Sequence, residues 1–364
     1  MTGTSLDGID AVLVHFDEHG MPHCLGHVGA PYGARLKAWL FALQNPLHGE
    51  IDLAYRAALL HAEEVACVVR MLLEQYPAQG DAAIRAVAVH GQTIRHRPQE
   101  HYSVQLLAGA RLAECLGLDV IGDFRSADLA AGGQGAPLVP AFHQAVFAAP
   151  EARAIVNVGG IANISVVQQD RPVRGFDTGP GNVLLDGWIA RHQGCAFDAQ
   201  GAWAAQGKVH PSLLAALQAH PFFAIEPPKS TGREDFHLAW VDAVLAAFPE
   251  VPAVDVQRCL LELSAWSIAR ACGDSACQTA WLSGGGALNL RLAQSIAAYS
   301  GLAVRSVADL GIHPQQVEAC AFAWLGYRFL HRQPGNLPSV TGARKAKVLG
   351  ALWPAHEVGL GPGR

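Results

Sequence analysis

The sequence is poor in charge. Asp, Glu, Lys and Arg make up 16% of its 364 residues, against 51% hydrophobic residues. A chain that stays disordered needs the opposite balance, so a mainly disordered protein is excluded. Neither sign of charge dominates: 26 Lys and Arg face 31 Asp and Glu, a formal net charge of -5. The concentrated basic face of a nucleic-acid binder is missing. No uninterrupted apolar run reaches the roughly 18 residues of a membrane span. The opening Met-Thr-Gly-Thr-Ser-Leu-Asp has neither the basic nor the apolar region of a signal peptide. These absences predict a soluble, cytoplasmic globular protein, long enough for two domains of ordinary size.

Metal and nucleotide fingerprints are equally scarce. The eight cysteines are scattered without a Cys-x-x-Cys pair, and no His-Glu-x-x-His accompanies them, so a zinc site is not expected. Cys259, Cys272 and Cys320 lie in apolar helical patterns, where cysteine serves as a small core residue. No Gly-x-Gly-x-x-Gly opens a helix, which leaves a dinucleotide fold unsupported. The nearest approach to a P-loop, Gly201 to Val209, has the wrong spacing and no Ser or Thr after Lys208.

What the chain does have is glycine, 38 residues of it, set between strand-like and amphipathic segments that alternate as in an α/β protein. Strands are predicted over Ile9–Phe16, Ala86–Val89, Val120–Phe124 and Thr279–Leu282, with a hairpin of Ala154–Val158 and Asn163–Val167. Helices are predicted over Leu53–Tyr76, Val183–His192, Val256–Cys272 and Glu318–His331. Turn signals at Pro150 and Glu151 suggest a domain boundary.

Four glycine-rich turns adjoin these strands. They are Gly3-Thr4-Ser5-Leu6-Asp7-Gly8, Asn157 to Asn163, Gly175 to Asn182, and Ser283 to Asn289. Glycine lets backbone amides approach a phosphate closely, although any single such turn is also explained by turn geometry alone. Asn182 is placed to cap the helix from Val183. Asp177 is the one carboxylate in an otherwise uncharged loop. It can accept a proton from a nucleophile, hold a metal near phosphates, or merely stabilise its own turn. Asp7 and Asp10 flank the first turn, with metal, phosphate-site or purely local roles open to them.

Other polar candidates carry two readings each. His90-Gly91-Gln92-Thr93 suits a polyhydroxylated ligand, or is an exposed loop. Arg125 can fork onto a carboxylate or phosphate, or form a surface ion pair. Lys229 to Glu234 contains a Thr-x-x-Glu capping box. Glu318 opens an apolar helix, where a dipole role is the default.

Taken in order, these motifs resemble the anhydro-N-acetylmuramic acid kinases of the hexokinase–actin superfamily. The matching segments are Met1 to Gly8, His90 to His96, Asp123 to Arg125, Ala131 to Pro140, the Asn157 turn, Phe176 to Asn182, Pro228 to Glu234, and Gly284 to Asn289. The resemblance implies two actin-like (ribonuclease H-like) α/β domains with ATP in a cleft between them. Domain I would span 1–150 and domain II 151–332, with a tail, 333–364, returning to domain I. It implies that Gly3, Thr4, Ser5, Leu6, Asp7, Gly8, Asp10, Gly159, Gly160, Asn163, Gly179, Gly284, Gly285, Gly286 and Asn289 contact nucleotide. Mg²⁺ would bridge the phosphates, with Asp7 or Asp10 as ligand candidates, and Asp177 would be the general base. Gln92, Thr93, Arg125 and Glu318 would face the sugar.

The implied reaction opens a 1,6-anhydro ring with water and passes the γ-phosphoryl of ATP to the released 6-oxygen. The products are N-acetylmuramic acid 6-phosphate and ADP, feeding cell-wall sugar into recycling. A homodimer is a further implication. Two rival classes are a non-catalytic actin-like ATP-binding module and a plain hexosamine kinase. The resemblance also implies a short strand ahead of the first turn, whereas this sequence reaches the turn almost at Met1. Unpaired backbone, lower stability and weaker ATP binding are expected beside that turn than in a version extended by about eight residues, the reach of one strand.

Overall fold

A computed structural model describes residues 1–364 apart from 3–5, 7, 47, 78–82, 228, 274, 275 and 356–364. Short 3-10 turns aside, the chain begins with β1 (Gly8–Phe16), β2 (Pro22–Pro31), α1 (Ala34–Ala42), α2 (Glu50–Gln75), β3 (Val87–Ala88) and β4 (Gln92–Arg97). Then come β5 (Tyr102–Leu106), α3 (Gly109–Leu116), β6 (Val120–Gly122), α4 (Ser126–Ala130) and α5 (Val139–Phe147). The middle of the chain forms β7 (Arg153–Val158), β8 (Ile161–Val167), β9 (Arg174–Pro180), α6 (Val183–Gln193), α7 (Pro211–Gln218), α8 (Leu238–Leu245) and α9 (Ala253–Gly273). It ends with β10 (Thr279–Ser283), α10 (Leu290–Ser300), β11 (Ala303–Ser306), α11 (Val317–Leu330), α12 (Pro338–Thr341) and β12 (Ala351–Trp353).

Two compact units result. Unit 1 holds Met1–Phe142 and the chain from Glu318 on; unit 2 holds His143–Val317. The divisions thus fall at 142/143 and 317/318, where the sequence suggested 150/151 and 332/333. The turn at Pro150 marks the entry to β7, while α5 itself straddles the division. α11 sides with unit 1 because its apolar face packs there. Phe322 lies against His90 and Phe124, with ring centroids 4.6 and 5.7 Å apart, and Tyr327 stacks on Phe16 at 4.5 Å. The chain after α11 lies in the same unit. β12 pairs antiparallel with β6, and Asn336 and Thr341 donate to the buried Asp128 at 2.5 and 2.8 Å.

Unit 2 is built on the five-stranded sheet β11-β10-β7-β8-β9. β7, β8 and β9 are mutually antiparallel, and β10 and β11 run parallel to β7. This is the ribonuclease H-like order, central strand first. β7 is buried on both faces, as a central strand requires. Most of α9 is buried in the core of unit 2, and Cys259 and Cys272 are core thiols within it.

Unit 1 carries the same parts with one place open. The antiparallel pair β1/β2 corresponds to β8/β9, and the parallel pair β3/β6 corresponds to β10/β11. Where unit 2 has β7, unit 1 has a cavity of about 850 Å³, lined among others by Val12, Val14, Val69, Val87 and Ala323. Met1 sits at one end of it, exchanging two backbone hydrogen bonds with Asp10 at 2.6 and 2.9 Å. Among the described residues nothing else pairs with this edge of β1. Burial pulls the Met1 ammonium pKa from 8.0 down to about 6.

Candidate active site

In unit 2 three of the glycine turns converge at the strand ends. The β7–β8 turn accepts from the next one: Gly181 N–H donates to Gly160 O at 2.9 Å and Asn182 N–H to Gly159 O at 2.8 Å. A side chain at Gly181 would overlap the Gly159 carbonyl. Gly284, after β10, has φ +76°, and a Cβ there would lie 2.5 Å from Asn157 Oδ1. Gly286 is closed in by the Val158 side chain. The turns can approach one another only without side chains, which leaves a cradle of backbone and small residues of the kind that admits phosphate.

Two asparagines brace this cradle. Asn289 caps α10, its Oδ1 accepting Leu292 N–H at 3.0 Å. Asn182 does precede α6, but its side chain makes no cap. Its amide instead donates to Val158 O at 3.1 Å, tying the third turn to β7. Asn182 has helical backbone angles, which take its side chain away from the helix amides it was expected to cap.

Asp177 lies inside β9, opposite Asn163 of β8. Its own N–H donates to Lys229 O at 3.1 Å, and its Oδ2 accepts the Thr231 N–H at 3.0 Å. Among the described residues no group donates to Oδ1. Burial raises the pKa from 3.8 to about 6, against the Thr231 bond, and the Glu234 charge adds to the rise. Asp177 is thus a carboxylate with one oxygen held, one free, and an affinity for protons suited to neutral pH. The Thr231-x-x-Glu234 pattern does not cap a helix. α8 starts at Leu238 with His237 as its cap, and the Thr231 hydroxyl donates to Asp235 at 2.6 Å. Sequence reasoning missed the Thr231 amide, since a backbone N–H carries no residue signature.

Unit 1 places the other candidates. Gly3, Thr4, Ser5 and Asp7 lie outside the described residues. Leu6 is buried with φ 58°, and Gly8 opens β1, where a side chain would overlap Ala30 O. Asp10 accepts His27 Nε2 at 3.2 Å. Gln92 is fully buried and accepts Tyr32 Oη–H at 2.9 Å, and Thr93 Oγ1 accepts from Gln105 at 3.1 Å. Arg125 donates to Gly135 O at 2.7 Å and meets His90 Nε2 at 2.8 Å. Burial lowers its pKa to about 10, so it stays cationic, and Glu318 favours that charge. Glu318 itself is raised above 4.5 by burial, with Asp10 adding to the rise and Arg125 opposing it. Arg125, Glu318 and Asp10 therefore share one electrostatic neighbourhood, while Gln92 and Thr93 are engaged in the unit's own packing.

Glycine turns at the strand ends beside a carboxylate of raised pKa are the parts an α/β kinase requires. The chain belongs to the anhydro-N-acetylmuramic acid kinase family, whose model matches residues 1–355. Its relatives include the anhydro-N-acetylmuramic acid kinases of Chromobacterium violaceum, 49% identical over 97% of this chain and 98% of that one, and of Pseudomonas paraeruginosa, 49% identical over 98% of each. That of Bordetella pertussis is 50% identical over 98% of this chain and 95% of its own. The enzyme's activity is accordingly that of an anhydro-N-acetylmuramic acid kinase. A solved structure of the activator of the 2-hydroxyisocaproyl-CoA dehydratase from Clostridium difficile, with bound ADPNP, matches 87% of this chain and 93% of its own at a TM-score of 0.44 and 11% identity. Among the described residues no helix is long and apolar enough to cross a membrane.

Proposed function

We propose that Asp177 is the general base of this kinase. The observation that carries the reading is the free Oδ1 of a carboxylate whose burial keeps its pKa near 6. Water gives a proton to Asp177 as its oxygen bonds to the anomeric carbon. The bond from that carbon to the 6-oxygen breaks, and the 6-oxygen takes the γ-phosphoryl of ATP as the β–γ bridge breaks and ADP leaves. One base suffices, because the oxygen that leaves carbon is the phosphoryl acceptor.

The glycine turns of unit 2 supply the nucleotide cradle in this reading, through Gly159, Gly160, Gly179, Gly284, Gly285 and Gly286, with Asn163 and Asn289 at their ends. In unit 1, Gly8, Leu6 and Asp10 belong to the phosphate turn. Arg125 and Glu318 face the sugar, with Gln92 and Thr93 shaping the wall behind them. Mg²⁺ suits the hard oxygen donors present, of which Asp10 is the described candidate ligand, and it would neutralise phosphate charge. A cytoplasmic setting fits ATP as co-substrate.

A homodimer is supported by exposed apolar residues at helical spacing on α2, Ile51, Tyr55 and Leu59, which are 71%, 73% and 47% exposed. The test of the whole reading is sugar-dependent ADP release by wild type and Asp177→Asn. Release with the anhydro sugar but not the open sugar, abolished in the variant, is expected. ATP binding without turnover would instead support the non-catalytic module, and turnover of the open sugar a plain hexosamine kinase.

A further inference from the structure

His90 links the strand end of β3 to two groups at once. Its ring is 4% exposed and packs on Phe322. Nδ1 lies 3.0 Å from Thr2 O, and Nε2 lies 2.8 Å from Arg125 Nη2. A guanidinium only donates, so Nε2 must present its lone pair; a carbonyl only accepts, so Nδ1 must carry the proton. One tautomer satisfies both bonds, the neutral imidazole protonated on Nδ1. Gly91 makes this placement possible, since it has φ +77° and a Cβ there would press to 2.9 Å from Leu106 O. Thr2 is held from the other side, its Oγ1 donating to Gly91 O at 2.8 Å.

The connection continues past Arg125. Its Nη1 donates to Gly135 O at 2.7 Å, and Gly135 N–H donates to the buried Asp128 at 2.7 Å. Arg125 is therefore gripped at two nitrogens, and the first of its two acceptors is an imidazole anchored to the residue that precedes the first phosphate turn.

We propose that His90 is a positioning residue, locked as the neutral Nδ1–H tautomer, which fixes the Arg125 guanidinium for the sugar and ties it to the first phosphate turn through Thr2. This rests on the reading of Arg125 as a sugar-side residue. The groups facing His90 agree with a neutral ring. Burial, Arg125, the Met1 ammonium and His61 of α2 all disfavour the imidazolium, and only the bond to Thr2 O favours it.

The tautomer is tested on the wild-type enzyme by nitrogen NMR of labelled histidine. A protonated Nδ1, an unprotonated Nε2 and no titration near the ordinary 6.5 are expected. A proton on Nε2, or titration near the ordinary value, overturns the proposal. The positioning role is tested by steady-state kinetics of His90→Leu and His90→Gln. Losing a hydrogen bond to a charged group predicts about a tenfold rise in sugar KM for the leucine variant, exceeding its fall in kcat. Gln, whose amide oxygen can accept from Arg125, should recover most of it. An unchanged sugar KM in a folded leucine variant contradicts the role. Arg125→Lys separates the two layers: if it too leaves KM unchanged, the sugar-side reading of Arg125 fails while the tautomer result stands.

Discussion

The amide of Thr231 reaches across 54 residues of sequence to hold Oδ2 of Asp177 at 3.0 Å. That contact divides the carboxylate into an anchored oxygen and one to which no group donates among the described residues. It also tempers the acidity, since it favours the ionised form that the larger effect of burial, and Glu234, oppose.

The first prediction concerns pH. A base must be unprotonated to act, so kcat/KM should rise with pH along an acid limb with an apparent pKa near 6. Glu234→Gln removes a charge that raises Asp177 and should move the limb to lower pH. A pH–rate profile of both proteins checks this.

The second prediction sets activity against stability. Asp177 binds protons more tightly folded than unfolded, so it destabilises the protein increasingly as pH rises from 3.8 to about 6, and fully above that. Asn keeps an acceptor for Thr231 without the charge. Asp177→Asn should lose activity by roughly 10²–10⁴-fold yet gain at most about 3 kcal/mol of stability at pH 8. Urea unfolding at pH 8 and near pH 4 separates the effects, because the gain should vanish at the lower pH.

A third prediction follows from buried histidines. His61 is fully buried on α2, with no hydrogen-bond partner for either ring nitrogen among the described residues. Burial lowers its pKa to about 4 and that of His143 to about 3. Each binds fewer protons folded than unfolded below the ordinary 6.5, so their contribution is intact above that pH and is lost as pH falls through the window down to the folded values. Thermal melts should show Tm falling from pH 7 to pH 5. His61→Phe should flatten that fall and raise stability at pH 7 by about 1 kcal/mol.

Much of this architecture was legible. β1, α2, α9 and the β7–β8 hairpin announce themselves by apolar periodicity, and Asp177 stood out as a charge in an uncharged stretch. Less visible was anything that depends on which surface a helix meets. α11 is plainly apolar, but its pattern does not say that it packs on β3 and β6. Asn182 looks like a cap in sequence, yet its amide finds Val158 O instead. Gln92 reads as a ligand-facing polar residue and is in fact sealed against Tyr32. Those outcomes are set by tertiary neighbours, which local patterns do not encode.

The most direct test of the central claim is product analysis by mass spectrometry. The enzyme, ATP, Mg²⁺ and 1,6-anhydro-N-acetylmuramic acid are incubated in heavy-oxygen water beside Asp177→Asn. The account predicts a sugar monophosphate carrying the label at the anomeric position, absent with the variant. An unlabelled product, or undiminished labelled product from the variant, would contradict it.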